Sequence, residues 1–513
     1  MDSDDIWTKD YVNEEHLQAF AAALAQDDEG PTSEVPNSPL VSTRINQPHH
    51  AERTKKISAV SDFAPIHSRV KRKKRKGRGK KGVLRRKLRA ARTYEEWKET
   101  AKELDEFLGY NEWKKEPEDP FYDYNLIKKV LRSLRTLRDQ DDAHGVLGVL
   151  EVCIRANFGG IETSRLYSET YYKTKDLIEA YTTEVERALA YIRETPKLSI
   201  EEKRRFFRGA NTNLGSSALC LSGGASFGYY HFGVIRAFLD AKMLPRVIAG
   251  TSAGGLIAAL ACTHTDEELE TLLVPRLADH ITACEESMGV WMRRFWKTGA
   301  RFDTVEWARR AAFFTRGSLT FREAYELTGR VLNVSVIPFS RYSPTKLLNH
   351  LTSPDCVIWS AIIASAAVPG ILNPVVLMQK TKTGSIVPWN WGSRFKDGSL
   401  RVDIPLQSLN LLFNVNYPIV SQVNPHVHLF NFSARGSAGK PVVHRRGKGW
   451  RGGFILSAAE QYLKLELTKN FKVIRDLELL PQILGQDWSS VFLQRFDGVV
   501  TFVLSPHMPS SQK

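Results

Sequence analysis

One ten-residue stretch, Val247–Leu256, constrains this chain more than any other. Val247-Ile248-Ala249 is a short apolar run of the kind that ends a buried strand. Gly250-Thr251-Ser252-Ala253-Gly254 follows, and then an apolar helical run, Leu256–Ala261. A strand that meets a helix through Gly-x-Ser-x-Gly is the pattern of a nucleophile elbow, a serine on a sharp, strained turn. Small residues at Gly250 and Gly254 let the two arms of the turn pass closely. The turn lifts the Ser252 hydroxyl clear of the backbone and aims a helix N-terminus at developing negative charge. The pentapeptide alone recurs by chance in long chains. The strand before it and the helix after it are what weigh against a plain Gly/Ser turn between core elements.

A glycine loop lies one strand upstream. Ala218-Leu219-Cys220-Leu221 reads as a buried strand, Ser222-Gly223-Gly224-Ala225-Ser226-Phe227-Gly228 follows, and a helical run extends from Tyr230 to Leu239. Glycines between a strand and a helix present backbone N–H groups to an anion. Two readings fit, a nucleotide-phosphate loop and an oxyanion hole. The loop has no Lys-Ser/Thr pair, and its glycines do not follow G-x-G-x-x-G. The elbow arrives about 25 residues later, one strand onward, which favours the oxyanion hole.

Three further points bear on chemistry. In Phe395-Lys396-Asp397-Gly398-Ser399 the Asp-Gly pair marks a tight turn by default, yet an aspartate placed after a strand can also face a serine site. His350 and Asp355 have the H-x-x-x-x-D spacing that glycerolipid acyltransferases use, although Pro354 suggests a turn in which Asp355 caps the next helix. His426 and His428 are candidates for the histidine of a Ser/Asp/His triad of α/β-hydrolase type.

The 513 residues suffice for two or three domains. The net charge is +15, and the stretch from Arg69 to Arg92 alone holds 15 Lys/Arg and no Asp/Glu, so the remainder is near neutral. A block of like charge self-repels and is expected to be extended. A solvated linker, an anionic-lipid contact and a nucleic-acid or import signal compete for it. The block lacks interleaved aromatics and no nucleic-acid fold follows, which weighs against nucleic acid. Residues 1–68 read as mostly disordered, with helical spacing only over Glu14–Leu24.

Residues 93–195 read as helical, opened by Thr93 as an N-cap with Glu96 reaching back. Val146–Ile154 and Leu166–Ile192 continue the pattern. Residues 265–345 read as a mostly helical insertion. Within it Met288, Val290, Trp291, Met292, Phe295 and Trp296 lie among Arg293, Arg294, Lys297 and Arg301, which suits a lipid-facing lid or interface as well as an ordinary core helix. Strands are expected at Leu332–Ile337, His426–Phe430 and Val499–Leu504, helices at Ile358–Val368 and Ala458–Leu467, and a mobile loop at 435–453. Five scattered cysteines (Cys153, Cys220, Cys262, Cys284, Cys356) have no metal-ligand spacing and point to a reducing compartment. The N-terminus lacks the basic and apolar regions of a secretory signal, and no apolar run of transmembrane length occurs.

In order and spacing, Gly223-Gly224…Gly228, Gly250-Thr251-Ser252-Ala253-Gly254 and Asp397-Gly398 together resemble the patatin-like phospholipase family, over residues from about 85 to 505. Phe227–Val234, Trp359–Ile362 and Phe413–Pro425 look like its fungal and plant triacylglycerol lipase subgroup. The resemblance implies an α/β fold, a three-layer sandwich around a mostly parallel sheet, preceded by a helical domain (85–210) and a disordered basic N-terminal region (1–84). The catalytic domain would span 215–505, with a short tail at 506–513. It also implies a Ser–Asp dyad, with Ser252 as nucleophile and Asp397 as proton acceptor. Gly223, Gly224, Ala225, Gly228 and Ala253 would line the oxyanion hole, and Gly250, Gly254 and Gly398 would complete the motifs. Ala225 and Phe227 stand where the family pattern has a third glycine and a basic residue, which leans toward neutral lipids.

The expected activity is that of a serine lipid acyl hydrolase on glycerolipid esters, through an acyl-enzyme and with no cofactor or metal. Lysophospholipid acyl transfer or phospholipase action on the same dyad, and a non-catalytic lipid-surface scaffold, are the alternatives. Its expected partners are a neutral glycerolipid or phospholipid substrate and an anionic membrane or lipid-droplet surface, and its expected location is intracellular.

Overall fold

The computed structural model of the chain describes residues 5–25, 74–91, 93–280, 287–340, 343–389, 393–424 and 500–503, with scattered helical residues between 462 and 473. In chain order the strands are β1 (Ser216–Leu221), β2 (Val247–Gly250), β3 (Val331–Pro338), β4 (Lys346–Leu348), β5 (Val375–Val376), β6 (Met378–Lys380), β7 (Ile386–Pro388), β8 (Arg394–Asp397), β9 (Val415–Gln422) and β10 (Val500–Val503). Among the described residues the main sheet runs β10-β9-β1-β2-β3-β8-β5, with β4 also on β3, while β6 and β7 pair separately. From β10 through β3 every neighbouring pair is parallel. β8 runs antiparallel to β3. The protein is thus an α/β fold with a mostly parallel central sheet behind a helical N-terminal region.

Sequence explains why this sheet lies inside. β2 and β3 are buried along their whole lengths, as strands covered by helices on both faces must be. The helix after β2, Ala253–Thr263, is apolar all round and buries Ile257 through Thr263 between the sheet and its outer neighbours. Leu221, Gly250 and Val334 align across β1, β2 and β3, and Val336 pairs with Asp397 on β8. The ends of four strands therefore meet at one edge of the sheet, the edge where open α/β sheets bind ligands. Upstream, Ile127 and Leu134 of helix Tyr124–Asp139 join Val146, Leu150, Ile178 and Ile192 in a separate core.

Several expectations need correction. The N-terminal 84 residues include the helix expected from the Glu14–Leu24 spacing, and also the start of a second helix in the basic block. Helix Glu14–Ala25 is part of the main core: Phe20 is fully buried, its ring 5.0 Å from that of Trp359, and the Leu24 carbonyl accepts from Arg394 Nη2 at 3.1 Å. The basic block is helical from Lys74 to Ala90. Leu84 is buried with Ala101 and Leu104 of the acidic helix Tyr94–Leu108, and Lys87 lies 4.0 Å from Glu103. This opposing charge and packing offset the self-repulsion that favoured an extended chain.

Thr93 caps helix Tyr94–Leu108 by accepting the Glu96 N–H. Leu166–Ile192 is not one helical run: a 3-10 turn (Ser164–Tyr167) and a helix (Asp176–Glu194) flank a non-helical segment. The helical insertion stops at Thr328, because Val331–Pro338 is the central β3. β9 occupies a stretch where no strand was expected. Helix Met288–Thr298 buries none of its residues, which removes the core-helix reading. His426–Phe430 and 435–453 lie outside the described residues.

Phe20→Ala should release the N-terminal helix from the core and lower stability by about 3–5 kcal/mol, the usual range for a buried Phe truncation. Chemical denaturation of the two chains side by side checks this, and an unchanged midpoint would contradict the packing.

Candidate active site

The elbow is where its sequence put it. Ser252 has φ 54° and ψ −124°, a left-handed backbone that an L residue resists. The turn is held from both sides: a β-carbon on Gly250 would collide with the Gly254 carbonyl, and one on Gly254 with the carbonyls of Leu221 and Ser222. Only glycine allows strand, turn and helix to pass so closely. The Ser252 N–H donates to Ser365 Oγ at 2.9 Å, and Ser365 Oγ donates to the Ser335 carbonyl at 2.8 Å. Gly398 packs against that same carbonyl. The turn before Ser252 and the turn after Asp397 are therefore tied to one point on β3.

Asp397 ends β8 and is fully buried. Its N–H donates to the Ala367 carbonyl at 3.2 Å, and its Oδ1 accepts the Ser399 N–H at 2.7 Å. Oδ2 is buried without a closed hydrogen bond. Burial pushes this carboxyl up to about 6, against the opposing pull of Ser399 and of the Ser252 hydroxyl. Ser252 is thus close enough to favour the charged form, while its bond to Oδ2 is left open. Catalytic hydrogen bonds commonly tighten only when substrate is present.

The glycine loop converges on the same place. A β-carbon on Gly223 would lie 3.5 Å from that of Ser252 and 3.4 Å from that of Ser399. Among the described residues, none supplies an acceptor for the N–H groups of Gly224, Ala225 and Ala253. Gly223 departs from expectation: its one N–H donates to Asp403 Oδ1 at 2.8 Å and is spoken for. Gly228 is buried in the short 3-10 turn after the loop, where a β-carbon would come within 2.7 Å of Ala253 Cβ, so its part is close contact.

Asp403 is the residue that sequence reasoning missed. It is buried, and besides Gly223 it accepts from Asn424 Nδ2 at 2.7 Å, while its carbonyl accepts from Thr251 Oγ1 at 2.8 Å. One side chain and its backbone thus join the glycine loop, the elbow and the end of β9. Burial, and after it the charge of Asp397, push Asp403 up to about 7. The sequence signal was slight: a lone acid between the apolar Val402 and Ile404.

The other candidates fall elsewhere. His350 stacks on Tyr325 at 4.1 Å, and exposed Asp355 lies 3.3 Å from Arg322, so the H-x-x-x-x-D spacing assembles no site. His231 is buried behind the loop, its Nδ1 2.9 Å from Ser421 Oγ and its Nε2 3.0 Å from the Ser222 carbonyl, with burial lowering it to about 4. Among the described residues no histidine is hydrogen-bonded to Ser252 or Asp397. His426 and His428 lie outside them.

Residues 219–409 match the family model described as patatin-like phospholipase. The chain carries a patatin-like phospholipase domain. Residues 74–212 match a second model, described as a domain of unknown function, DUF3336. A patatin-like phospholipase domain-containing protein of Cryptococcus neoformans var. neoformans serotype D is 54% identical over 97% of this chain and 62% of its own length. One of Yarrowia lipolytica is 55% identical over 84% of this chain and 53% of its own. The chain therefore spans between about half and three-fifths of such relatives. The crystal structure of VipD from Legionella pneumophila aligns over 53% of this chain and 57% of its own, at 13% identity and a TM-score of 0.25, too slight a likeness to carry weight.

The two buried carboxyls of this patatin-like domain give it a pH signature. Both stay protonated to higher pH in the folded chain than an unfolded aspartate, which titrates near 4. The folded state then holds more protons above that value, so stability falls as pH rises through about 6 to 7. Asp403→Asn removes one of these groups. Relative to the parent chain it should gain roughly 2 kcal/mol between about pH 5 and about pH 8. Urea denaturation at the two pH values checks this, and an equal difference at both would contradict it.

Proposed function

We propose that this chain is a serine lipid acyl hydrolase, similar to triacylglycerol lipases, that cleaves fatty-acyl esters of glycerolipids on a Ser252–Asp397 dyad. The observation that carries the reading is the strained Ser252 beside a buried carboxylate with one oxygen open, next to three backbone N–H groups that have no acceptor among the described residues.

Ser252 Oγ attacks the ester carbonyl carbon as its proton passes to Asp397 Oδ2. The carbonyl oxygen gains a negative charge and accepts hydrogen bonds from the amides of Gly224, Ala225 and Ala253; one such donor is typically worth about 3 kcal/mol in the transition state. The intermediate collapses, the C–O bond to the glycerol oxygen breaks, and that oxygen takes the proton from Asp397. Water then attacks the acyl-enzyme, again giving its proton to Asp397. The Ser252 Oγ–acyl bond breaks, Ser252 recovers the proton, and the fatty acid leaves. A carboxylate in water is a weak base near neutrality; a carboxyl raised to about 6 is a better one.

Ala225 and Phe227 in place of a glycine and a cation support a neutral acyl ester over a phospholipid head group. The proposed organisation is a helical upstream domain (85–210) ahead of a catalytic domain (215–505). The basic segment running into helix Lys74–Ala90 would supply contact with an anionic membrane or lipid-droplet surface. Among the described residues no helix is long and apolar enough to cross a membrane.

Ser252→Ala and Asp397→Asn should each lower kcat/KM on long-chain acylglycerols by ~10³-fold or more, with circular dichroism unchanged. The parent chain's rate should fall as pH drops through about 6, as Asp397 takes up its proton. Full activity in Ser252→Ala would overturn the assignment.

A further inference from the structure

Helix Met288–Thr298 is amphipathic, and its apolar face is turned outward. At the helical period of about 100° per residue, Met288, Trp291, Met292, Phe295 and Trp296 share one face, and Arg293, Arg294 and Lys297 occupy the opposite one. No residue of the helix is buried; Trp296 is 84% exposed and Met288 67%, with Met292 and Phe295 also exposed. A soluble domain rarely leaves such a stripe to water unless something covers it. Between Ser287 and Arg301 there are four Lys/Arg and no Asp/Glu, so the surface that covers it must suit a cationic flank.

The helix is tied at its C-terminal end. Arg301 lies over the ring of Trp291 at 5.1 Å, and Asn373 Nδ2 donates to the Thr298 carbonyl at 3.2 Å. The Phe302 N–H donates to the Ile371 carbonyl at 3.1 Å. The segment 371–373 reached by these bonds begins four residues after Ala367, whose carbonyl accepts the N–H of Asp397. The anchored end of the helix is therefore joined to the stretch of backbone that also holds the buried carboxylate.

From this the geometry points to an interfacial helix. Met288–Thr298 docks on an anionic lipid surface, with Trp296, Phe295, Met292 and Met288 in the acyl–headgroup boundary and Arg293 and Lys297 toward the anionic head groups. Aromatic and aliphatic side chains opposite a cationic face are the composition of helices that lie in a membrane interface. The same docking sets the Ser252–Asp397 site at the lipid surface. This last point rests on the reading of the chain as a lipid acyl hydrolase; the docking itself does not.

Vesicle flotation of the 513-residue chain in a Ser252→Ala background, where no lipid is consumed, tests the docking alone. The vesicles are phosphatidylcholine with and without phosphatidylserine. Replacing Phe295 and Trp296 by Glu should weaken binding to both by about tenfold or more. Arg293→Glu with Lys297→Glu should reduce the gain from phosphatidylserine, the basic segment before Ala90 supplying the rest, and leave binding to phosphatidylcholine unchanged. With Ser252 intact, the Phe295/Trp296 variant should hydrolyse a soluble short-chain ester within about twofold of the parent chain, showing that it folds, and lose activity on emulsified triolein. Vesicle binding equal to the parent's would overturn the inference. So would a parent dimer that the Glu variant splits into monomers on size exclusion, since a second copy would then cover the face. A parent chain inert on the soluble ester would overturn the hydrolase reading and leave the flotation result standing.

Discussion

The site depends on one close passage of backbone, where the carbonyl of Gly254 crosses over Gly250 with no room for a β-carbon between them. This contact lets β2 turn into helix Ala253–Thr263 within a few residues, and it leaves Ser252 in a left-handed conformation that an ordinary turn would relax. Such strain costs of the order of 1–3 kcal/mol and persists only when the surroundings over-determine it. Here they do: the Ser252 N–H is held by Ser365, the helix beyond is buried on every side, and β2 is fully enclosed between β1 and β3.

A second constraint is polar. The glycine loop leaves β1 and would drift without a partner for its amides, and Asp403 supplies one from a distant part of the chain. The same residue receives Thr251 and Asn424, so β1, β2 and β9 are registered against one another at their carboxyl ends by one buried acid. Gly223 thereby gives up its N–H to structure, while the N–H groups of Gly224, Ala225 and Ala253 meet no acceptor among the described residues. A donor that holds its own loop in place is not also free for a transient oxyanion, because an N–H carries one proton.

The sequence carried the elbow, the glycine loop and the Asp-Gly turn because each is local: a few adjacent residues of fixed type, bounded by apolar runs whose period gives the strand or helix. What it did not carry was non-local. Asp403 and Ser365 act through partners more than 100 positions away, and neither has a local signature. β9 was hidden by Asn416 and Pro418, types that ordinarily argue against a strand, yet it lies beside β1 with a register shift near Ser216. Helix Glu14–Ala25 was legible from its spacing, but its place against Trp359 was not, since nothing near Phe20 indicates which distant ring it meets. The basic block misled because its charge was weighed alone, without the acidic helix that faces it.

Charge and chemistry meet in the pair of buried aspartates. Taking a carboxylate out of water disfavours its ionised form, and a second carboxylate nearby disfavours it further. Asp397 and Asp403 stand at about 6 and about 7, so near neutrality the pair passes from one charge to two. Asp397 keeps Oδ2 open, while both oxygens of Asp403 already accept N–H donors that favour its charged form against burial. An aspartate can then serve as base without an imidazole: desolvation raises its proton affinity toward the working pH, and a neighbouring acid that keeps its own proton spares it a full like-charge repulsion. The stability lost to burying two acids is the physical counterpart of that basicity, and both arise from the same exclusion of water.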